Sequence, residues 1–211
     1  MKILVAQDMK KIIINNIISI HVEKDNDADE YSRPYMLIAY DVNGDNIYLA
    51  SYLEEEIANK VLDDIMYWMV DDNRADYHIP LAENLDEELF NEPYKFKFYS
   101  DDKELISKIS AQSSKGTECI KAQNGTLIFL NNIVFFKDYD LSIDGFSELD
   151  LDEQNDLRRE FNLDSSIQSI IIADNIRREE ILLGQFKGEY AAEEIIDHFD
   201  LKRIFIIPQD E

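Results

Sequence analysis

Residues 36–65 read MLIAYDVNGDNIYLASYLEEEIANKVLDDI, and residues 170–199 read IIIADNIRREEILLGQFKGEYAAEEIIDHF. Aligned without a gap at an offset of 134, Ile38, Ala39, Ile47, Leu49, Glu55, Ala58 and Asp63 meet Ile172, Ala173, Ile181, Leu183, Glu189, Ala192 and Asp197. Tyr52 meets Phe186, and Val61-Leu62 meets Ile195-Ile196. The stretch reads as a hairpin followed by a helix. Met36–Val42 and Asn46–Tyr52 are extended runs around Asn43-Gly44, residues that tolerate positive φ at both central positions of a tight turn. From Glu54 to Met69, the apolar residues Ile57, Val61, Leu62, Ile65 and Met69 recur at helical spacing. Glu54, Glu55 and Glu56 lead the helix where its dipole favours negative charge.

Upstream, a second match runs at an offset of 116. Ala6-Gln7-Asp8 and Asn15-Asn16-Ile17 recur as Ala122-Gln123-Asn124 and Asn131-Asn132-Ile133. A duplication sets the expected architecture: an α+β protein of two related antiparallel-sheet-plus-helix units, over residues 1–80 and 117–211. In the first unit, strands are expected at Lys2–Ala6, Ile12–Ile14 and Ile17–Val22, with a turn or bulge at Asn15-Asn16. An extended piece, Tyr77–Pro80, follows the helix. The second unit reads as a turn at Gln123–Thr126, a strand at Leu127–Leu130, a hairpin of Ser169–Ala173 and Glu180–Phe186, a helix at Glu189–Phe199 and an extended Arg203–Pro208. Because the offset rises from 116 to 134, the second unit should carry an insertion at about 137–168. Residues 81–116 form an acidic connector with an alternating strand at Tyr94–Phe98 and a short helix at Lys103–Ile109.

Charge bounds the partners. The chain has 45 Asp and Glu against 21 Lys and Arg, a net −24 over 211 residues. Such a surface repels phosphate backbones, so direct DNA or RNA binding is disfavoured. It attracts basic surfaces, including those with which other proteins hold nucleic acid; the alternative is that the acidity only aids solubility. The single cysteine, Cys119, excludes an internal disulfide and is expected to be a buried apolar residue. The N-terminal apolar stretch reaches Gln7-Asp8 too soon for a signal peptide, and no apolar run approaches the roughly 20 residues of a membrane span. A cytoplasmic protein that meets no membrane is expected, with its oligomeric state open.

Three motifs together carry a resemblance: Gln123-Asn124-Gly125, Phe186-Lys187-Gly188-Glu189-Tyr190-Ala191-Ala192 and Phe205-Ile206-Ile207-Pro208. In this order they resemble a class of small, largely uncharacterised proteins from Gram-positive phages and integrative mobile elements. The first unit departs from the pattern, since Gln7-Asp8-Met9 lacks the glycine. The resemblance implies a mobile-element accessory protein. It transfers no catalytic residue, because that class has no established chemistry.

Enzyme signatures are mostly absent from the sequence; an unrecognised enzyme would need a cluster of strongly perturbed carboxylates in a pocket. There is no glycine-rich phosphate loop and no Gly-x-Ser-x-Gly elbow. His21, His78 and His198 are far apart, and no cofactor or metal is expected. Asp41-x-Asn43-x-Asp45 and Asp138-x-Asp140 superficially resemble calcium loops. They lack the glycine and the terminal glutamate that such loops need, and read better as a hairpin turn and a solvated loop. Tyr67-Trp68-Met69 reads as packing between the units or as an exposed partner anchor.

The acidic insertion is the candidate partner-binding segment. Asp144, Glu148, Asp150, Asp152, Glu153 and Asp156 are interleaved with Leu141, Ile143, Phe146, Leu149, Leu151 and Leu157. Carboxylates so spaced can stand in for DNA phosphates while the apolar residues anchor the segment. The competing reading is an amphipathic cap with a solvated acidic face. Glu87 and Glu88 of the connector share this texture. The sequence therefore supports a non-enzymatic inhibitor that blocks the basic nucleic-acid-binding surface of a host defence protein, an anti-CRISPR-like DNA mimic. The alternative is an immunity, assembly or structural accessory protein that recognises its partner by shape.

Overall fold

In the computed structural model of the chain, residues 2–28, 32–71, 74–81, 118–141, 149–188, 191–196 and 204–209 are described. β1 (Ile3–Val5) lies between antiparallel β2 (Lys11–Ile13) and parallel β6 (Asp76–His78). Asn15-Asn16 interrupts the apolar run as a 3-10 turn at Ile14–Asn16. After it, β3 (Ile17–Lys24), β4 (Tyr35–Asp41) and β5 (Asn46–Tyr52) form an antiparallel meander, and α1 (Glu55–Val70) crosses its inner face. The later elements are β7 (Cys119–Lys121), β8 (Leu127–Phe129), a 3-10 turn at Leu130–Asn132 and β9 (Ile133–Asp140). Then come α2 (Leu151–Glu160), β10 (Ser169–Asn175), β11 (Glu180–Phe186), α3 (Ala191–Ile196) and β12 (Ile204–Ile206). β7 lies between antiparallel β8 and parallel β12.

The described strands form three sheets, in orders β2-β1-β6, β11-β10-β9 and β12-β7-β8-β3-β4-β5. The six-stranded sheet exists because β8 adds to β3, pairing Ser19 with Ile128 and Ile20 with Leu127. The chain is an α+β protein in which antiparallel pairing dominates. Among the described residues, no helix is long and apolar enough to cross a membrane.

Three apolar clusters hold these layers. In the largest, Leu37, Ala39, Leu49 and Tyr52 of the meander meet Ala58, Val61, Leu62 and Ile65 of α1, all buried. Side chains of this size contribute about 1.5–3 kcal/mol each when fully removed from water. The helical spacing of α1 is thus explained by the face it buries. Trp68 belongs to this cluster and is fully buried against Tyr77, at 5.7 Å between ring centroids, so it is a core residue rather than an exposed anchor. α1 has no basic residue in its last turn. The Lys2 ammonium fills that role from beside β1, donating to the carbonyls of Trp68, Asp71 and Arg74 where the helix dipole is negative.

A second cluster gathers Ile171, Ala173, Leu183 and Phe186 with Ala192 and Ile207. Cys119 is buried in the first cluster, as expected of a lone cysteine acting as a small apolar residue. The third cluster lies on the opposite face of β9-β10-β11, where Ile170 and Ile172 meet Leu157, Phe161 and Leu163 from and after α2.

Two local expectations are corrected. At Asn43-Gly44, only Gly44 has positive φ (90°), so the turn is a three-residue loop rather than a tight two-residue one. Gly44 N–H donates to the Asp41 carbonyl, and the Asp41 carboxylate accepts the N–H groups of Asn43 and Asp45. The Asp41 side chain thereby organises the loop, leaving only the last position in the left-handed region. Asp138 and Asp140 lie on β9, not in a solvated loop. Since β9 continues to Asp140, the extra chain before β10 begins after that residue. The connector strand and helix expected at 94–98 and 103–109 lie outside the described residues.

Candidate functional site

Within the acidic insertion, residues Leu151–Glu160 form α2, and its helix start is built by two of the candidate acids. Asp150 is the N-cap, with one carboxylate oxygen 2.9 Å from the N–H groups of both Asp152 and Glu153. Glu153 returns the bond, accepting the Asp150 N–H at 2.9 Å. This reciprocal box satisfies otherwise orphaned amides at the positive end of the helix. Asp156 is ion-paired to Arg159 at 2.6 Å with both side chains in solvent, a contact worth little. The Asp152 carboxylate has no partner among the described residues; only its N–H is engaged, by Asp150.

Arg158 fixes α2 to the sheet. Its guanidinium donates to the carbonyls of Leu141, Asp164 and Ile167, which lie at both ends of the inserted segment. Gln154 is buried and donates to the Leu149 carbonyl. The helix therefore turns Leu157 inward and presents Asp152, Asn155 and Asp156 outward on a pinned support. This is the amphipathic cap foreseen as the competing interpretation, and it leaves the outward acids available to a partner. Asp144, Glu148, Glu87 and Glu88 lie outside the described residues.

The histidines and the loop-like acids gather no site. His78 is exposed, 3.4 Å from Asp76. His21 is half-buried, and burial holds its imidazole below the ordinary value against the opposing pull of Glu23. His198 lies outside the described residues. Among the described residues, no three His, Cys, Asp or Glu side chains converge closely enough to hold a metal ion.

Sequence reasoning singled out Gln7 and Gln123 as markers but gave them no task. Both are clamps. Gln7 donates to the Pro80 carbonyl at 2.8 Å and accepts the Ser51 N–H at 3.1 Å, tying β5 to the end of β6. Gln123 donates to the Pro208 carbonyl at 2.7 Å and accepts the Gln185 N–H at 2.8 Å, tying β11 to the end of β12. Their recurrence beside Ile-Pro at 79–80 and 207–208 was the available signal.

A contact between the two hairpin tips had no sequence signal. The Tyr40 hydroxyl donates to the Glu179 carboxylate at 3.0 Å, and Arg177 stacks over the Tyr40 ring while pairing with Glu179. Hydrogen bonds from Asn175, Arg177 and Tyr40 outweigh burial and hold the Glu179 carboxyl below its usual value. Asn132 adds a second tie, donating to the carbonyls of Asn15 and Ile17. Lys121 pairs with Asp63 of α1 at the wall of a groove of about 320 Å³, which Tyr67 and Pro208 also line. No protein-family model, curated protein or solved structure matches the chain.

Proposed function

We propose that this chain is a non-enzymatic accessory protein of phage or mobile-element origin that acts in the host cytoplasm by binding another protein. Its target is a basic surface, of the kind that holds nucleic acid in a defence nuclease. The observation that carries this reading is the outward acidic face of α2, fixed by Arg158 on a chain of net −24. A negative surface that is already rigid loses little side-chain freedom on docking and is steered towards positive potential.

We also propose that the chain arose by tandem duplication of one sheet-plus-helix unit. The recurring element order supports this, as do β1 between β2 and β6 and β7 between β8 and β12. The positive-φ residues support it too: Met9 and Gly125 are separated by the first offset, Gly44 and Arg178 by the second.

The test is capture of partners from a Gram-positive host lysate, eluted by stepwise salt, with the captured nuclease then assayed for DNA binding. Asp152→Lys with Asp156→Lys is the informative variant, because Asp150 and Glu153 are needed to start the helix. Loss of inhibition with an unchanged melting profile supports the reading. A partner that is not basic and resists salt removes it. Recognition by shape, as in an immunity or assembly protein, is favoured by one observation, the exposed apolar residues Val134 and Phe135 of β9.

A further inference from the structure

Residues 5–7, 9 and 78–81 line an apolar notch of about 270 Å³ where β1 and β6 run out. The groove of about 320 Å³ beside α1 has the same construction. Residues 121–123, 125 and 206–209 line it, 116 residues on for the first set and 128 for the second. The correspondence is structural. Val5 stands opposite His78 as Lys121 stands opposite Ile206. The Ile79 N–H donates to the Val5 carbonyl as that of Ile207 does to Lys121, and the Met9 N–H to Ala6 as that of Gly125 does to Ala122. What differs is the third wall. The second groove has one, made by Asp63, Met66 and Tyr67 of α1, whereas no described helix lines the first. The rims differ as well. Met9, 69% exposed, takes the place of Gly125, and Leu81, 46% exposed, that of Gln209. Met9 also holds φ at 67°, in the left-handed region that Gly125 occupies at 86°. A side chain is disfavoured there, and an exposed methionine offsets none of that strain by burial.

We propose that the first notch is a docking site for an amphipathic helix of a basic partner protein, which stands where α1 stands against the second groove and inserts an apolar side chain beside Met9, Ile79 and Leu81. The second groove supplies the chemistry of the occupant. Asp63, Met66 and Tyr67 line it from one face of α1, so the occupant carries apolar residues at the last two of these helical positions. The acid is not carried over. Asp63 pairs with Lys121, whose place Val5 takes, so the occupant is apolar there too. Where the second groove has Ile206, the first has His78, 3.4 Å from Asp76, with both side chains 63% exposed. A Lys or Arg of the occupant meets Asp76 at that rim. The unbranched, polarisable Met9 suits a lip that adapts to a helix. The wall behind it is already fixed, since Gln7 and Tyr52 both hold the Pro80 carbonyl. Charge decides between a basic partner and a second copy, because two chains of −24 repel. The site rests on the proposed function for the partner's charge and adds where that partner docks.

The probe is the capped, hydrocarbon-stapled helix Ala-Lys-Leu-Ala-Lys-Met-Tyr-Ala-Gln-Leu-Lys-Ala, titrated into the isotope-labelled full chain. Saturable changes in the Met9 methyl signal and in the amides of residues 5–9 and 78–81 are expected. Binding should weaken at least about fivefold in Met9→Gly and in Leu81→Gln, which install the second groove's residues, and on replacing the peptide's Met and Tyr with Ser. Met9→Gly should do so without lowering the melting temperature, because it relieves the strained φ. Absence of saturable binding overturns the proposal, as does equal binding of a scrambled helix of the same charge. Binding to Met9→Gly as tight as to the wild type, or a lowered melting temperature in that variant, overturns it too. Concentration-dependent shifts at the same amides without peptide would assign the notch to a second copy and overturn it equally. Capture of a basic partner that Met9→Gly and Leu81→Gln leave intact sinks the notch but not the proposed function. Failure of the wild-type chain to capture any basic partner sinks the proposed function, while the peptide titration still decides the notch.

Discussion

Replacing Gln7 by Ala should cost markedly more stability than replacing Gln123 by Ala, although the two residues make the same pair of bonds. The Gln7 bonds to Pro80 and Ser51 are partly shielded from water, whereas those of Gln123 to Pro208 and Gln185 are exposed. A net hydrogen bond is worth about 1 kcal/mol, and a shielded group left without a partner costs about 1–3 kcal/mol. Pro80 is spared that penalty, because the buried Tyr52 hydroxyl also donates to its carbonyl at 2.9 Å. The Ser51 N–H is not spared. Gln7→Ala is therefore expected to lose about 2 kcal/mol and Gln123→Ala about 0.5–1 kcal/mol, since water replaces the latter's partners. Gln7→Glu should resemble Gln7→Ala, because it keeps the acceptor for Ser51 but turns an oxygen towards the Pro80 carbonyl. Urea unfolding followed by the fluorescence of Trp68, the only tryptophan and fully buried, gives both numbers at unchanged slope. Equal losses for the two variants, or a Gln7→Ala loss below about 0.5 kcal/mol, would refute the shielding argument.

Gly44→Ala should destabilise by about 1–2 kcal/mol, through positive φ and through collision with the Arg177 guanidinium. Adding Arg177→Ala should recover part of that loss, as read by a double-mutant cycle. Arg178→Gly should stabilise by up to about 1 kcal/mol, because an exposed arginine holds φ at 63° where Gly44 sits in the other hairpin; a lowered melting temperature would count against it. Asp150→Ala should cost about 1 kcal/mol through the lost cap, and Asp152→Ala close to nothing, in the same unfolding assay. The Asp41 carboxyl is held below its usual value, chiefly by the Asp45 N–H, so it binds a proton less readily folded than unfolded. Its contribution is full above the ordinary carboxylate range and drains as the pH falls through the lowered value. Asp41→Asn keeps the accepting oxygen, as Asn175 does in the other hairpin, and should flatten that acid-side loss between about pH 5 and pH 2. An unchanged acid limb would place the titration elsewhere.

What was legible in the sequence was local and periodic. The stripe Ile57, Val61, Leu62, Ile65 predicted α1, and the Asn-Asn pairs marked the two 3-10 turns. Alternation around Asn43-Gly44 placed β4 and β5, though the side chain of Asp41 changed the turn type. What was not legible depended on which strand meets which. The addition of β8 to β3 joins residues far apart in the chain through backbone groups, which every sequence carries alike. The Tyr40–Glu179–Arg177 contact likewise needs two hairpin tips to meet before its residue types mean anything. Of the candidate site, the amphipathic cap was readable from acids alternating with leucines. The division of labour among those acids was not, because capping is decided by the exact residue at which the helix starts.

That division bears on how an acidic sequence should be weighed. Asp8, Asp25, Asp41, Asp150 and Asp164 each accept a backbone N–H two residues on, at Lys10, Asp27, Asn43, Asp152 and Ser166. Asn124 and Asn175 do the same for Thr126 and Arg177. These side chains close turns, as short polar side chains next to the backbone commonly do. Their charge still adds to the long-range field, but reversing it breaks a turn, so a Lys scan would misreport them as binding residues. Asp152 and Asp138 differ: each is exposed, and each can be reversed without removing a cap or a turn. They lie on separate elements, α2 and β9, and a basic partner whose surface spans both elements meets both charges. Reversing either alone should reduce the salt dependence of binding, and reversing both should remove more than one does. If only one of them changes the salt dependence, the docking surface is confined to its element.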